Sequence, residues 1–161
     1  MTLEELADTL PNGFHDSALQ RLSVDYVRRA AHLEMSIKVG DSDGLAEQRD
    51  DIRDARVEVS GLRFLVVDPP STARGYEFKS PGELWVVDGY ETRSIPEFTK
   101  LITPDLLGSL PPEAFVHSFF ISEWNSYIHI AARDCAMKWI GEARHYKGPR
   151  QAFLPGETVE L

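Results

Sequence analysis

Leu33, Met35, Ile37 and Val39 alternate with His32, Glu34, Ser36 and Lys38. A two-residue period of this kind predicts a β-strand with one buried and one wet face. The same period runs ahead of it, where Leu22, Val24 and Tyr26 alternate with Ser23 and Asp25, and a basic turn at Arg28-Arg29 joins the two runs. Together they read as an antiparallel hairpin. After a polar, charged loop at 40–53, a third strand is expected from about Ala55 to Val67. Its apolar phase is odd at Val57 and Val59 and even at Leu62, Phe64 and Val66. The slip falls beside Gly61, as a β-bulge would place it.

Before the first strand, Thr2 and Glu5 form a capping-box pattern that opens a short helix, which Pro11 and Gly13 end. The middle of the chain is punctuated more heavily. A short extended piece is expected at Tyr76–Phe78, and a short strand at Leu84–Val87 closed by Asp88-Gly89. Ser94 and Glu97 mark a possible helix start, and Thr103-Pro104 another turn. Alternation returns at Ala114–Ser122 and Tyr127–Ala132, flanking a hairpin turn at 123–126. It continues at Cys135–Ile140, where Cys135, Met137 and Trp139 share a face.

The expected fold class is therefore α+β and β-rich: a curved antiparallel sheet or sandwich-like meander with one to three short helices covering an edge or face. A chain of 161 residues fits a single domain. It divides into a short N-terminal helix at 2–9, a β-rich body at 17–140 and a surface tail at 141–161. No internal repeat, low-complexity tract or linker divides it further.

Charge and cysteine usage narrow the function classes. The formal charge is −9, so a nucleic-acid track is disfavoured because phosphate would be repelled. Residues 41–56 carry Asp41, Asp43, Glu47, Asp50, Asp51 and Asp54 against three arginines. Residues 133–150 carry Arg133, Lys138, Arg144, Lys147 and Arg150 against Asp134 and Glu142. Cys135 is the single cysteine, which favours a reducing compartment. With no signal-like start and no long apolar stretch, a cytoplasmic protein without a membrane partner is expected.

Several residue pairs invite chemistry. His15-Asp16 has the composition of a general base and its orienting carboxylate. Neighbours in an extended chain point apart, however, so a structural role for the pair is favoured. His117 and His129 have metal-ligand side chains, but a four-residue turn at 123–126 places Phe120 opposite His129 and Ala132 opposite His117. The two imidazoles then leave the sheet on opposite faces, and no metal site is expected. Asp41-Ser42-Asp43-Gly44 resembles a calcium-loop fragment without its closing glutamate. Cys135 reads as a core residue before a nucleophile. No phosphate-binding glycine loop or serine elbow occurs, and no cofactor is expected. Trp124, at the hairpin tip, either folds back onto the sheet or anchors a partner, with folding back favoured.

Gly-Phe-His-Asp-Ser-Ala-Leu at 13–19, followed by Leu-Ser-Val-Asp-Tyr at 22–26, resembles the opening of small bacterial β-rich families grouped with immunity proteins of polymorphic toxin systems. Phe-Phe-Ile-Ser-Glu-Trp-Asn-Ser at 119–126 fits the same resemblance. It implies a non-enzymatic cytosolic protein that binds and neutralises a toxin, and it transfers no catalytic residue.

Two functional expectations follow, with a third role beside them. The first is a protein-binding module that meets a basic toxin partner through Asp41, Asp43, Asp50, Asp51, Asp54 and Trp124. The alternative is a small-molecule-binding or hydrolytic β-domain with a polar site around His15, His129 and Asp134. The third is a homodimer built through an exposed sheet edge.

Overall fold

The structure is a computed structural model, and it describes residues 1–41, 49–71, 84–91 and 102–146, with only the backbone at 84–88 and 90. Thr2 caps helix α1 (Leu3–Ala7), and the reciprocal Glu5 contact completes the capping box. Eight strands follow: β1 (Ser17–Asp25), β2 (Ala30–Lys38), β3 (Asp51–Ser60), β4 (Phe64–Val67), β5 (Leu84–Glu91), β6 (Phe115–Ile121), β7 (Ser126–Ala132) and β8 (Asp134–His145). Helix α2 (Pro104–Gly108) lies between β5 and β6, with Thr103 as its N-cap. The expected pieces at 76–78 and 94–101 lie outside the described residues. No helix among the described residues is long and apolar enough to cross a membrane.

Every strand pairs antiparallel, in the order β4-β7-β6-β5-β1-β2-β3-β8. Two four-stranded layers make up this order, joined through β1 and β5 over the short stretch Ser17–Leu19. At the other side the layers are continuous. Ser60 stands opposite Asp134 on one side of a bend, and Phe64 stands opposite Ala131 on the other. The ladder of β3 with β8 thus turns a corner and continues as β4 with β7. Gly61, at φ 65°, makes the turn, so the phase slip in the sequence marks a corner that splits the expected third strand in two. β4 and β8 do not pair with each other among the described residues, and the sheet stays open.

Leu33, Met35, Ile37, Val57 and Val59 from one layer and Phe115, Phe119, Ile121, Ile128 and Ile130 from the other are buried in one cluster with Leu3, Leu6 and Phe14. Each such side chain is worth roughly 1.5–3 kcal/mol on burial, against 0–1 kcal/mol for an exposed ion pair. Apolar alternation therefore sets the layers. A second cluster, Ile102, Val116 and Ala131 with Leu106 and Leu107, lets the α2 segment cover the outside of the β6–β7 layer.

Several boundaries depart from expectation, beginning with β1, which starts at Ser17 ahead of the run from Leu22. β3 begins at Asp51, opposite His145 of β8, and Arg144 of β8 pairs with Asp54. β5 runs through Asp88-Gly89 to Glu91 where a closing turn was expected. Tyr26 leaves the first strand and sits in the turn, 84% exposed. The surface tail expected from Gly141 is strand as far as His145, with a bulge at Gly141 (φ 70°). Residues 147–161 lie outside the described residues.

A Cβ on Gly61 would stand 2.9 Å from the Arg133 Cβ and occupy a left-handed conformation, whereas one on Gly108 meets nothing within 4 Å. Gly61→Ala should lower stability by about 1–2 kcal/mol. Gly108→Ala should leave it unchanged or slightly higher. Urea unfolding midpoints of the two variants check the contrast.

Candidate functional site

The acidic residues of the expected partner surface do not share one environment. Asp41 is exposed, and Asp43 lies outside the described residues. Asp54 sits in β3, where its carboxylate takes both guanidinium nitrogens of Arg144, at 2.8 and 3.0 Å. Ser36 Oγ donates to the same carboxylate at 2.5 Å and accepts from Gln20 Nε2 at 2.6 Å, so the network crosses β1, β2, β3 and β8. Partial burial pushes the Asp54 carboxyl upward, but hydrogen bonds from Arg144 and Ser36 and the Arg144 charge hold it below the usual carboxylate range. Asp51 lies 3.3 Å from His145 Nδ1, and Tyr146 N donates to the Asp50 carbonyl. Antiparallel pairing of β3 with β8 thus sets the acidic and basic tracts side by side. Trp124, in a 3-10 turn at Ser122–Trp124, is half-buried and packs against the main core.

The three residues of the alternative polar site have separate partners. His15 pairs with Asp16 at 3.2 Å, contrary to the expectation for adjacent residues. The segment is a turn with Asp16 at φ 56°, so the two side chains are not held apart as in a strand. Asp16 also takes Lys38 at 3.2 Å. Asp134 receives the Met1 amine at 2.5 Å. His129 is buried elsewhere, on the outer face of β7.

That histidine is the centre of a set that sequence reasoning missed. Ser118 Oγ lies 2.6 Å from His129 Nδ1, and Asp68 Oδ1 lies 3.5 Å from His129 Nε2. Tyr127 stacks on the imidazole, centroids 5.7 Å apart. Serine, histidine and aspartate in a row have the composition of a nucleophilic triad. Access decides against that chemistry, since Ser118 is 0% and His129 1% exposed. The Asp68 contact is also too long for a firm hydrogen bond. The Ser118–His129 contact joins β6 to β7, with Asp68, one residue past β4, beside the ring. Burial lowers the His129 pKa, and the Asp68 carboxylate only partly opposes this. The missed signal was register. The hairpin loop is 122–125, with Asn125 left-handed, which puts Ser118 opposite His129 and Phe120 opposite Tyr127. The expected parity survives the shift of two, and the two histidines leave opposite faces.

His117 points into the main core between Phe14 and Phe119, at centroid distances of 6.1 and 4.6 Å. Neither ring nitrogen has a hydrogen-bond partner, and Glu4 Oε2 stands 3.6 Å from Nδ1. Burial lowers its pKa to about 3. Gly89 makes room for it, since a Cβ there would lie 2.4 Å from His117 Nε2. Cys135 is buried, and its thiol is pushed up to about 11 by that burial, with the Asp134 and Glu5 charges adding to it against the N-terminal amine. It therefore stays a protonated core side chain at neutral pH.

No family model and no curated protein matches the chain. Among solved structures, the crystal structure of an uncharacterized protein from Neisseria gonorrhoeae is similar at a TM-score of 0.44 and 9% identity. The match covers 77% of this chain and 91% of that one.

His117 is neutral in the fold and ordinary in the unfolded chain, so the unfolded state takes the proton first as pH falls. Its contribution is full above about pH 6.5 and drains by about 1.4 kcal/mol per pH unit toward about pH 3. His117→Leu should flatten this acid limb, read from urea midpoints measured across the window; an unchanged slope would exclude the assignment. Ser118→Ala leaves His129 Nδ1 buried without its partner, and a loss of about 1–3 kcal/mol is expected in the same assay.

Proposed function

We propose that this chain is a non-enzymatic protein-binding module of the immunity type, which neutralises a protein partner by occluding it. The observation that carries the reading is the sealing of the two candidate nucleophiles among the described residues, Ser118 and Cys135. The Ser118–His129–Asp68 set is closed to solvent at its serine and its histidine, and the Cys135 thiol is buried and protonated. A nucleophile that substrate cannot reach contributes to packing and not to turnover. The resemblance at 13–26 and 119–126 supplies the immunity part of the proposal.

A net charge of −9 still favours long-range encounter with a partner of basic overall charge, whatever the sign of the face that partner presents. The local support for the Asp41–Asp54 surface is weaker than the sequence alone implies, because Arg144 and His145 already engage Asp54 and Asp51. Long-range steering is therefore separated from the contact surface itself.

The reading is tested by mixing the purified chain with the purified product of each flanking open reading frame. A stable complex at physiological salt is expected with one of them, along with relief of that product's growth inhibition on co-expression. Ser118→Ala should leave the complex intact. Absence of any complex, or loss of neutralisation in a Ser118→Ala variant that still binds, would overturn it.

A further inference from the structure

One cross-strand row, Asp25–Ala30–Ser60–Asp134, aligns the ends of β1, β2, β3 and β8 at one end of the sandwich. Three connections meet there. The β1–β2 turn is tied to the β3–β4 corner by Leu62 N donating to the Arg29 carbonyl at 2.8 Å. That corner is tied to the β7–β8 corner by Arg133 N donating to the Ser60 carbonyl at 3.2 Å and Arg63 N to the Ala131 carbonyl at 2.8 Å. Residues remote in sequence are thereby set on adjoining loops.

These loops carry Arg28, Arg29, Arg63 and Arg133, all exposed. Among the described residues, no carboxylate pairs with Arg29, Arg63 or Arg133, and Arg28 has only the 3.8 Å contact with Asp25. Asp134, the other acid of the row, is held by the Met1 amine. Among the described residues, this end of an acidic protein is therefore basic. At its tip stand Tyr26, 84% exposed, and Val27, 95% exposed. The tip is ordered by its own bonds. Asp25 Oδ1 accepts from Arg28 N at 2.9 Å, and Arg29 takes a left-handed φ of 52°. An apolar pair held out on a fixed turn loses little conformational freedom on docking. Tyrosine and arginine are also the side chains that dominate interface energetics.

We infer that this end is the partner-contact surface, and that its occupant is a protein face with an apolar centre ringed by carboxylates. Tyr26 and Val27 enter the apolar centre, and the guanidinium groups take the carboxylates in forked pairs. A long polyanion is the poorer fit, because beyond this end it meets a molecule of net charge −9. The inference rests on the protein-binding reading and gives that reading its contact surface.

The probe is a fluorescein-labelled peptide with a Leu-Phe-Leu centre flanked by glutamates, compared with its all-glutamine counterpart and a single-stranded DNA oligomer by fluorescence anisotropy. Saturable binding of the glutamate peptide is expected, weakened about tenfold by Arg29→Glu/Arg133→Glu and by Tyr26→Ala/Val27→Ser. High salt and the glutamine peptide should both reduce it. The substituted side chains are exposed, so unchanged melting curves serve as the folding control. Absence of binding, equal binding by wild type and the arginine variant, or tighter binding of the DNA would overturn the inference. The same arginine variant mixed with the flanking-gene product separates the two readings: a complex that survives the substitutions keeps the binding module and removes this surface from it.

Discussion

The fold depends on one continuous antiparallel ladder that turns a corner. β3 pairs with β8, the backbone bends at Gly61 in one segment and Arg133 in the other, and the same two segments continue as β4 and β7. Because the ladder is shared, the two layers are held face to face on that side by backbone hydrogen bonds. Val57 and Val59 then oppose the apolar faces of β6 and β7 in a single core. Remove the bend, and either the pairing or the sandwich must be given up.

The bend also distributes charge. By pairing β3 with β8 it sets Asp51 and Asp54 beside His145 and Arg144 at one end, and at the other it gathers arginines from three separate corners. Neither arrangement follows from net charge. The acidic tract that stands out in sequence is partly neutralised in space, while scattered arginines become neighbours.

Alternation along β2, the capping box at Thr2 and the cap at Thr103 were all legible, because each is a local pattern that reports local physics. Gly61 was legible as a change of phase, though not as a corner, since phase says nothing about which strand lies across. The Ser118–His129 contact was missed because its visibility depends on hairpin register, and a loop shifted by one residue moves every partner by two. Gly89 read as a turn signal, but its missing side chain serves the close approach of His117 from the next strand. Polar residues at the start of β3 read as loop because their stabilising partners are far away in sequence. In each case what the sequence lacked was the identity of the neighbour.

The long separation between β3 and β8 along the chain has a consequence for the order in which the molecule is made. β1, β2 and β3 form a local meander that can assemble as soon as it is synthesised, yet β3 acquires its second neighbour only once β8 has emerged. Until then Val57 and Val59 sit on an open margin that any passing strand can extend. Closing so distant a pair is slow relative to hairpin formation, so the nascent chain passes through a stage in which a strand that lines the finished core still has one edge unpaired.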